Sequence, residues 1–353
     1  MDFSSENQYG FNHEVYNSED HCINKAIVYG KNGSGKSNLG LALFDITTHL
    51  TDNAIIRDKY GNYTNMDLKS DVATFEYDFV FDGIPVVYTY SKKGLENLTK
   101  ESLSVNGKDV IFYDFARNKG AVNLKGADNL NLVNSHSQIS RVKYVASNAI
   151  LDRNDVINQA FTSFMSFVNR MLLFYSLEGN AYQGFTTGSE SIAEGIINSG
   201  HLKEFEKFLN TMGIHYHLIQ KEIDGSKQIF CRFKNGEGNF YSLASSGTKS
   251  LALFYYWYTR MEESSLVFID EFDAFYHFEL AENIVTLLKN LTNQQVILTT
   301  HNTDLMSNDL LRPDCYYILS DNHIGPISEL TDKDLRQAHN LQKMYKAGAF
   351  DEQ

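Results

Sequence analysis

Residues 26–39 constrain this chain more than any other stretch. They read Ala-Ile-Val-Tyr-Gly-Lys-Asn-Gly-Ser-Gly-Lys-Ser-Asn-Leu. Residues 26–29 form an apolar run that predicts a buried strand, and residues 30–37 match the pattern G-x-x-x-x-G-K-[ST] in full. Apolar residues at helical spacing then continue over 38–44. A strand, a glycine-rich loop and a helix in this order favour a phosphate-binding loop over a chance glycine-rich turn.

The residue types of this loop suit a phosphate ligand. Its glycines let successive backbone N–H groups face phosphate oxygens, and the helix that follows directs its positive end toward the same charge. We expect Lys36 to reach the β- and γ-phosphates and the Ser37 hydroxyl to ligate Mg²⁺. The residues predicted to bind the ligand are Gly30, Lys31, Asn32, Gly33, Ser34, Gly35, Lys36, Ser37 and Asn38.

An apolar strand followed by two acids predicts the second half of the site. Residues 264–271 read Ser-Ser-Leu-Val-Phe-Ile-Asp-Glu, which is typical of a buried parallel strand with carboxylates at its C-terminal end. Ligands bind at that end of the strands in open α/β sheets. We expect Asp270 to hold Mg²⁺, directly or through a water, and Glu271 to orient and deprotonate the water that attacks the γ-phosphate.

Two further stretches are candidate parts of the same site. A third apolar strand, 295–299, is followed by Thr-His-Asn at 300–302. There, His301 either hydrogen-bonds the γ-phosphate or the attacking water, or belongs to an ordinary capped strand end. Residues 242–249 read Ser-Leu-Ala-Ser-Ser-Gly-Thr-Lys and open a helical run over 250–260. Small hydroxyl residues and a glycine at a helix N-terminus either bind an anion or form an ordinary helix cap.

The stretches between these motifs predict an antiparallel β layer. Aromatic residues alternate over 74–81, and Asp-Gly at 82–83 and Asn-Gly at 106–107 predict two hairpin turns. The aromatic face is expected to pack in the core against the first helix rather than to form a ligand cage. Residues 117–143 are rich in Asn, Ser and Gly, and we expect a loop or hinge there.

A helical region is expected to follow. Apolar residues over 154–177 recur at steps of three and four, which predicts a helix whose buried stripe includes Leu172 and Tyr175. A second helical stretch is predicted over 189–212. Residues 214–234 then favour a third hairpin, turning at Asp-Gly. Two histidines, His215 and His217, alternate on that hairpin, and we interpret them as ordinary strand residues rather than as a metal site.

Composition favours a cytoplasmic protein. The three cysteines lie far apart, without metal-ligand spacing or an even-numbered disulfide framework, which favours a reducing compartment. No apolar stretch approaches the ~20 residues of a membrane span, and the N-terminus lacks a basic and then apolar signal, so no membrane partner is expected. The net charge of −13 disfavours a protein that coats nucleic acid, although a local basic groove stays open.

The order and spacing of these motifs resemble the ABC-type ATPase superfamily, and within it the RecF/SMC/OLD-like branch rather than transporter subunits. Residues 30–37 match Walker A, 266–271 match Walker B, and 244–248 stand where the family has its Leu-Ser-Gly-Gly-Gln signature. His301 matches the switch histidine. The resemblance implies an α/β fold, an ATPase head with a mixed, mainly parallel sheet around the loop helix, an antiparallel β layer and a helical subdomain.

The resemblance also implies the domain organisation and the remaining site residues. It covers nearly the whole chain and implies a single ABC-type ATPase domain that binds ATP and Mg²⁺. The parts of that domain are a P-loop and antiparallel β part (1–130), a helical insertion (131–213), a signature and Walker B part (214–330) and a C-terminal helix (331–353). The residues added to the nucleotide site are Ser245, Ser246, Gly247, Thr248 and the D-loop acid Asp273, with Gln138 as the candidate Q-loop ligand of Mg²⁺.

In this family two heads close face to face, and each ATP lies between Walker A of one and the signature of the other. The resemblance therefore implies slow, assembly-dependent ATP hydrolysis in a homo-oligomer, a dimer or a multiple of it. Residues 335–350 resemble the closing helix of small ATPases of bacterial anti-phage systems. The signature departs from the family at Ser246 and Thr248, which replace its first glycine and its glutamine.

The favoured role is an ATP-gated sensor and scaffold in anti-phage defence, similar to the ATPase components of PARIS, Septu or retron-linked systems. It would act with a separately encoded effector, a nuclease, and respond to a phage protein or DNA. A DNA-repair or recombination ATPase that clamps DNA directly is the alternative. A third class is a binding module that uses ATP structurally, against which Glu271 counts.

Overall fold

The computed structural model describes residues 1–7, 9–53, 55–67, 69–133, 138–176, 181–184, 191–320 and 323–351. The chain forms two compact units. The first contains residues 1–37, 173–182 and 187–353, and the second contains residues 38–172 and 183–186. No helix within the described ranges combines the length and the apolar composition that a membrane crossing requires.

The helices are short, and several begin at a side-chain cap. Ser191, for example, accepts a hydrogen bond from the backbone N–H of Glu194, whose side chain accepts one from the backbone of Ser191 in return. In the described ranges the α-helices are α1 (Lys36–Phe44), α2 (Thr47–Leu50), α3 (Arg141–Asn148), α4 (Val156–Asn169), α5 (Ile192–Asn198), α6 (Leu202–Thr211), α7 (Phe240–Leu243), α8 (Ser246–Tyr258), α9 (Phe278–Lys289) and α10 (Leu341–Lys346).

The strands form four sheets. In chain order the described strands are β1 (Tyr16–Asn17), β2 (Cys22–Ile23), β3 (Lys25–Tyr29), β4 (Ala73–Phe81), β5 (Ile84–Lys93), β6 (Asn97–Val105), β7 (Lys108–Asp114), β8 (Lys119–Val122), β9 (Leu172–Tyr175), β10 (Ala181–Gln183), β11 (Leu218–Ile223), β12 (Ser226–Phe233), β13 (Gly236–Asn239), β14 (Leu266–Asp270), β15 (Gln295–Thr300), β16 (Tyr316–Ser320) and β17 (His323–Pro326).

The first unit is built on a seven-stranded, mainly parallel sheet. Two end residues of this sheet, Leu172 of β9 and Gln183 of β10, are assigned to the second unit. Its order is β10-β9-β14-β15-β3-β16-β17. Strands β14, β15, β3 and β16 pair in parallel, and β17 pairs antiparallel with β16. Every residue of β3 and β14 is buried, as expected for parallel strands covered on both faces. The predicted mixed α/β fold with a mainly parallel sheet is confirmed.

The second unit contains the antiparallel sheet β4-β5-β6-β7-β8, with helices α2, α3 and α4. The two predicted hairpin turns are confirmed: Asp82 and Gly83, like Asn106 and Gly107, have positive φ, as a two-residue turn requires. The aromatic face of β4 is half-buried and meets two helices. The expected packing against the first helix is seen at Tyr77, whose hydroxyl donates to the carbonyl oxygen of Ala42 in α1 at 2.6 Å. The Phe79 ring instead packs on α4, where it lies 5.4 Å from the ring of Phe164 and 5.3 Å from that of Phe167.

A buried ion pair follows α1 in the second unit. Lys92 Nζ of β5 donates to Asp45 Oδ1 at 2.8 Å, and both side chains are almost completely buried. The hydroxyls of Tyr90 and Tyr63 also donate to Asp45, each at 2.7 Å, and Lys92 donates to Thr48 Oγ1 at 2.7 Å. The carboxylate and the ammonium are therefore both hydrogen-bonded, which a buried charge requires.

The predicted helix over 154–177 is wrong at its end. Helix α4 stops at Asn169, and Leu172 and Tyr175 belong to strand β9, next to β14 in the parallel sheet. The reason is that residues 171–175 are all buried, so this apolar run is covered on both faces as a strand. The apolar residues of β9 continue the helical spacing of α4 only by coincidence. Residue 177 lies outside the described residues.

Other boundaries also differ from the expectations. Residues 117–143 contain strand β8 and the start of α3, so this stretch is not only a loop. The second helical stretch is confirmed over 192–211 as two helices, α5 and α6, separated at Gly200, whose φ is +77°; its residues 189 and 190 lie outside the described residues. In the described part of the predicted C-terminal helix, residues 331–351, the α-helix is limited to Leu341–Lys346.

The third predicted hairpin is confirmed as β11 and β12, which turn at Asp224 and Gly225. His215 and His217 precede β11 rather than lie within it, and both are exposed. His217 Nδ1 lies 3.4 Å from Glu206 Oε2 of α6.

Candidate functional site

Three parallel strands of the first unit end at the same edge of the sheet. The register pairs Ile269 of β14 with Leu298 of β15, and Thr300 of β15 with Tyr29 of β3. Residues that follow these pairs therefore emerge side by side. They are the glycine-rich loop after β3, the two acids at the end of β14, and His301 after β15. The predicted meeting of these motifs at one edge is observed.

The loop after β3 has the backbone that its glycines predict. Gly33 and Gly35 have φ of +81° and +100°, values that residues other than glycine rarely adopt. Gly30 is needed for space, since an added Cβ would lie 2.9 Å from the carbonyl oxygen of Leu319 and would also meet Ser34 Oγ. Ser34 Oγ is itself buried and has no hydrogen-bond partner among the described residues. A buried hydroxyl of this kind is available to a polar ligand in the loop.

Lys36 begins α1 and points back across the loop. Its Nζ donates to the carbonyl oxygen of Gly30 at 2.9 Å. The same nitrogen lies 2.9 Å from His301 Nε2 and 3.4 Å from Glu271 Oε1, and only 4 % of the Lys36 side chain is exposed. The ammonium is therefore held at the edge of the sheet by the loop, Walker B and the strand end together.

Asp270 joins the phosphate loop to the neighbouring strands. Ser37 Oγ donates to Asp270 Oδ2 at 2.6 Å, and Thr299 Oγ1 donates to Asp270 Oδ1 at 2.7 Å. Both oxygens of this buried carboxylate therefore accept a hydrogen bond, as a buried polar group requires. Ser37 Oγ and an Asp270 carboxylate oxygen, from two of the three predicted Mg²⁺ ligands, are thus in direct contact.

Glu271 has an unusual backbone conformation. Its φ is +47°, the left-handed region that non-glycine residues rarely adopt. Its backbone N–H donates to Thr299 Oγ1 at 2.7 Å, and the next N–H, that of Phe272, donates to the Thr299 carbonyl oxygen at 3.1 Å. Glu271 Oε1 lies 3.0 Å from His301 Nε2. The turn after β14 thus brings Glu271 to the histidine and to Lys36.

The signature residues contact the segment after Walker B. Ser245 caps α8, because its Oγ accepts from the Thr248 N–H at 3.2 Å. A Cβ on Gly247 would lie 2.8 Å from the carbonyl oxygen of Phe275, so this helix start packs closely on that segment. Ser245 and Ser246 are exposed at the helix N-terminus. The helix begins four residues earlier than the run over 250–260 predicted.

Asp273, the predicted D-loop acid, and its neighbours form a second set of contacts. Thr300 Oγ1 donates to Asp273 Oδ1 at 2.7 Å. Ser250 Oγ of α8 lies 3.0 Å from the Tyr276 hydroxyl, and burial raises the pKa of Tyr276 to about 12. Asp273 is therefore fixed by β15, and the turn that follows it is tied to the signature helix.

The residues present fit Mg²⁺ bound with a nucleotide. In the described part of the chain, no group of three or more His, Cys, Asp and Glu side chains could hold a metal ion alone. Mg²⁺ usually takes one or two protein ligands and completes its shell with waters and substrate phosphates. The Ser37 and Asp270 pair matches that requirement, and Ser34 Oγ adds a buried polar atom without a partner.

Two predicted site residues lie outside this cluster's unit. Asn38 and Gln138 belong to the second unit, and Gln138 is exposed. The roles of these two residues, like those of the residues in the cluster, stay predictions. Sequence reasoning missed two threonines: Thr299 donates to Asp270 at the end of β14, and Thr300 donates to Asp273 in the turn that follows. The available signal was two adjacent polar residues at the end of an otherwise apolar strand.

Comparison of the sequence with models of known protein families shows the family to which this chain belongs. A model described as "AAA domain, putative AbiEii toxin, Type IV TA system" matches residues 25–307, well over half of the chain. The chain belongs to this family. It therefore carries a P-loop ATPase domain, and the matched residues include the phosphate loop, Walker B and His301. A search of the curated proteins finds no match to this sequence.

Solved structures similar to this chain include SMC head domains. The SMC head domain from Thermotoga maritima is 17 % identical with a TM-score of 0.40, and the match covers 85 % of this chain and 89 % of that one. An SmcHead bound to the C-winged helix domain of ScpA is 15 % identical with a TM-score of 0.45, covering 86 % and 89 %. A head from Pyrococcus furiosus, bound to the C-terminal domain of ScpA, is 12 % identical with a TM-score of 0.44 and the same coverage.

Proposed function

We propose that this chain hydrolyses ATP to ADP and phosphate with Mg²⁺ at the edge of the seven-stranded sheet. One observation carries the proposal: the Lys36 ammonium lies within 3.4 Å of both Glu271 and His301, while Ser37 contacts Asp270. These are a phosphate-binding cation, a general base, a polar partner for the reacting group and a metal-ligand pair. They are the groups that hydrolysis of a phosphoanhydride requires.

Each residue has a distinct role in this proposal. The backbone N–H groups of the glycine-rich loop and Lys36 Nζ bind the β- and γ-phosphates. Mg²⁺ held at Ser37 and Asp270 would neutralise charge on the phosphate oxygens. Because Glu271 Oε1 lies 3.4 Å from Lys36 Nζ, a γ-phosphate at Lys36 has the carboxylate beside it. Glu271 then accepts a proton from the attacking water, and His301 hydrogen-bonds the γ-phosphate.

The nucleotide-binding part of this proposal is tested with Lys36→Ala. Loss of the ammonium removes a charge-assisted contact to phosphate, so nucleotide affinity is expected to fall about tenfold or more. Lys207→Ala, at an exposed lysine of α6, is the matched control and is expected to bind like the wild type. Calorimetric titration with a non-hydrolysable ATP analogue measures both. Unchanged affinity in Lys36→Ala would place the nucleotide elsewhere.

A composite site in a homo-oligomer is the second part of the proposal. The signature residues Ser245 and Ser246 are exposed at the start of α8, where a helix N-terminus favours an anion. Exposed Leu243, Phe275 and Phe278 lie close in sequence to the signature or follow Walker B. We expect a second copy to place its nucleotide against this surface, in a dimer or a multiple of it.

Light scattering on Glu271→Gln, with and without Mg-ATP, tests the composite site. We expect the mass to rise from monomer to an even-numbered assembly when Mg-ATP is added. If the mass without ATP already corresponds to an even number of subunits, the assembly is constitutive and ATP changes the shape of the assembly. A monomer at saturating Mg-ATP would contradict a site completed by a second copy.

The biological role we propose is an ATP-gated sensor and scaffold in anti-phage defence, in the bacterial cytoplasm, with a separately encoded effector, a nuclease. The family description names a toxin, which supports a role in arresting growth over one in routine repair. We also keep as proposals the role of Gln138 as a Mg²⁺ ligand and the division into the parts 1–130, 131–213, 214–330 and 331–353.

A phage infection assay tests the role in defence. Protection of cells against phage that is lost in Lys36→Ala would support this role. Turnover stimulated by DNA, with steep salt dependence, would instead indicate a DNA clamp.

A further inference from the structure

We propose that Thr299 is a positioning residue that sets the geometry of both Walker B acids. The proposal rests on the proposed ATP hydrolysis, since its effect on turnover passes through Asp270 and Glu271. Thr299 lies on β15, not on the loop or on Walker B, and it is completely buried. We assign it no contact with phosphate; it acts through its hydrogen bonds to the two acids.

The Thr299 hydroxyl uses its proton and a lone pair on two different residues. A threonine hydroxyl has one proton to donate and two lone pairs that accept. Its proton goes to Asp270 Oδ1 at 2.7 Å, and Oγ1 accepts the N–H of Glu271 at 2.7 Å. A completely buried group of this kind has no exposed surface at which water could replace it. One hydroxyl thus connects the metal-binding acid to the backbone of the general base.

The first of these bonds fixes the orientation of the Asp270 carboxylate. Asp270 Oδ2 accepts from Ser37, and Oδ1 accepts from Thr299, so each oxygen has its own donor. If the Ser37 hydroxyl turns toward Mg²⁺, the Thr299 bond still holds the carboxylate plane. Partners of this kind behind a metal ligand commonly change metal affinity or activity about ten- to a hundredfold when removed.

The second bond holds the left-handed turn at Glu271. A glutamate at φ +47° is strained and persists only if its surroundings fix it. Thr299 supplies two such contacts: its Oγ1 accepts the Glu271 N–H, and its carbonyl oxygen accepts the Phe272 N–H. This turn carries the Glu271 carboxylate to 3.0 Å from His301 Nε2. Without the hydroxyl, the turn loses one of the two bonds.

The register of the sheet explains why residue 299 has this position. Ile269 pairs with Leu298, so the next residues along the parallel strands, Asp270 and Thr299, lie opposite each other. Thr300, one residue further, contacts Asp273 instead. The two threonines therefore serve different acids, and Thr300 offers a matched position for the same substitution.

The test compares Thr299→Val, Thr299→Ser and Thr300→Val in the full chain. Valine keeps the shape of threonine and removes the hydroxyl, whereas serine keeps the hydroxyl. Hydrogen exchange of overlapping peptides that cover 270–272 is measured by mass spectrometry without nucleotide. We expect the Glu271 amide to exchange at least about tenfold faster in Thr299→Val, because its acceptor is gone. Thr299→Ser and Thr300→Val are expected to keep the wild-type rate at this amide.

The second readout is the Mg²⁺ concentration that half-saturates binding of a non-hydrolysable ATP analogue. We expect this concentration to rise about ten- to a hundredfold in Thr299→Val and to return close to the wild-type value in Thr299→Ser. Turnover at saturating Mg²⁺ is expected to fall in Thr299→Val, with rescue by serine. A purely packing role would leave serine no better than valine.

The outcomes separate this proposal from the proposed function. Wild-type exchange of the Glu271 amide in Thr299→Val would overturn the positioning role, whether or not the chain hydrolyses ATP. An unchanged Mg²⁺ requirement in Thr299→Val would overturn the role toward Asp270. Faster exchange that serine restores, in a chain that shows no ATP turnover, would keep the positioning of Glu271 and overturn the proposed hydrolysis.

Discussion

At the scale of single residues, the site depends on backbone conformations as much as on side chains. Gly33 and Gly35 adopt positive φ, and Gly30 lies against the Leu319 carbonyl oxygen, where a side chain has no room. Glu271 adopts positive φ without being a glycine, since the Thr299 contacts hold it. These conformations bring the loop and Glu271, the proposed general base, together.

Gly30→Ala is expected to weaken nucleotide binding about tenfold, because the added methyl group would meet Ser34 Oγ within the loop and the carbonyl oxygen of Leu319 beside it, so the loop backbone must shift. Gly61→Ala is the control. There, the nearest atom to an added Cβ is the Asp58 carbonyl oxygen at 3.6 Å, an ordinary contact. Titration with a fluorescent ATP analogue measures both variants. Equal affinity in the two would show that the close packing at Gly30 does not shape the loop.

The sequence predicted most residues of the site but not the contacts that orient them. Lys36, Ser37 and Asp270 follow from patterns with a chemical reason for each residue type, and the structure brings them together. Thr299 could not be predicted in this way, because its role depends on which residue of β15 lies opposite Asp270. That register follows from the packing of the whole sheet. Gln138 was placed by resemblance alone.

At the scale of elements, turns were more informative than periodicity. Asp-Gly and Asn-Gly pairs favour positive φ at both positions, so the hairpins at 82–83 and 106–107 were predictable from local chemistry. Strand β9 was not, because a short, fully apolar run fits a buried strand and a buried helix equally well. Only its neighbours in the sheet decide, and β9 lies between β10 and β14.

The buried ion pair after α1 is expected to stabilise the second unit. Lys92→Met leaves Asp45 buried without its cation, so the free energy of unfolding is expected to fall by about 3–5 kcal/mol. Asp45→Asn combined with Lys92→Met should lose less than the sum of the single changes, because no unpaired charge remains. Urea denaturation of the three variants measures this. A loss below about 1 kcal/mol in Lys92→Met would mean that the two tyrosine hydroxyls suffice for Asp45.

At the scale of the whole molecule, buried charge makes stability depend on pH. Lys25 of β3 is buried and donates to the carbonyl oxygens of Leu291 and Gln294 at 2.6 and 2.9 Å. Burial lowers the pKa of Lys25 from 10.5 to about 7. Above pH 7 the unfolded chain therefore binds a proton that the folded chain lacks, so this residue makes stability rise with pH.

The prediction is that the free energy of unfolding of the wild type increases between pH 7 and 8.5 relative to that of Lys25→Met. The comparison removes the contribution of other titrating groups, which the two proteins share. Lys25→Met is expected to be less stable overall, since two carbonyl oxygens lose a donor, but the slope is the readout. Denaturant unfolding at several pH values measures it. Parallel curves would show that Lys25 stays charged in the folded chain.

Glu271 is the proposed general base of an ATP hydrolysis site at the edge of the parallel sheet. The most direct test is steady-state phosphate release from Mg-ATP by the wild type and by Glu271→Gln, with binding of Mg-ATP measured on the same samples. We predict that Glu271→Gln binds within a few fold of the wild type and turns over at least about 100-fold more slowly. Turnover at the wild-type rate in Glu271→Gln would contradict the account.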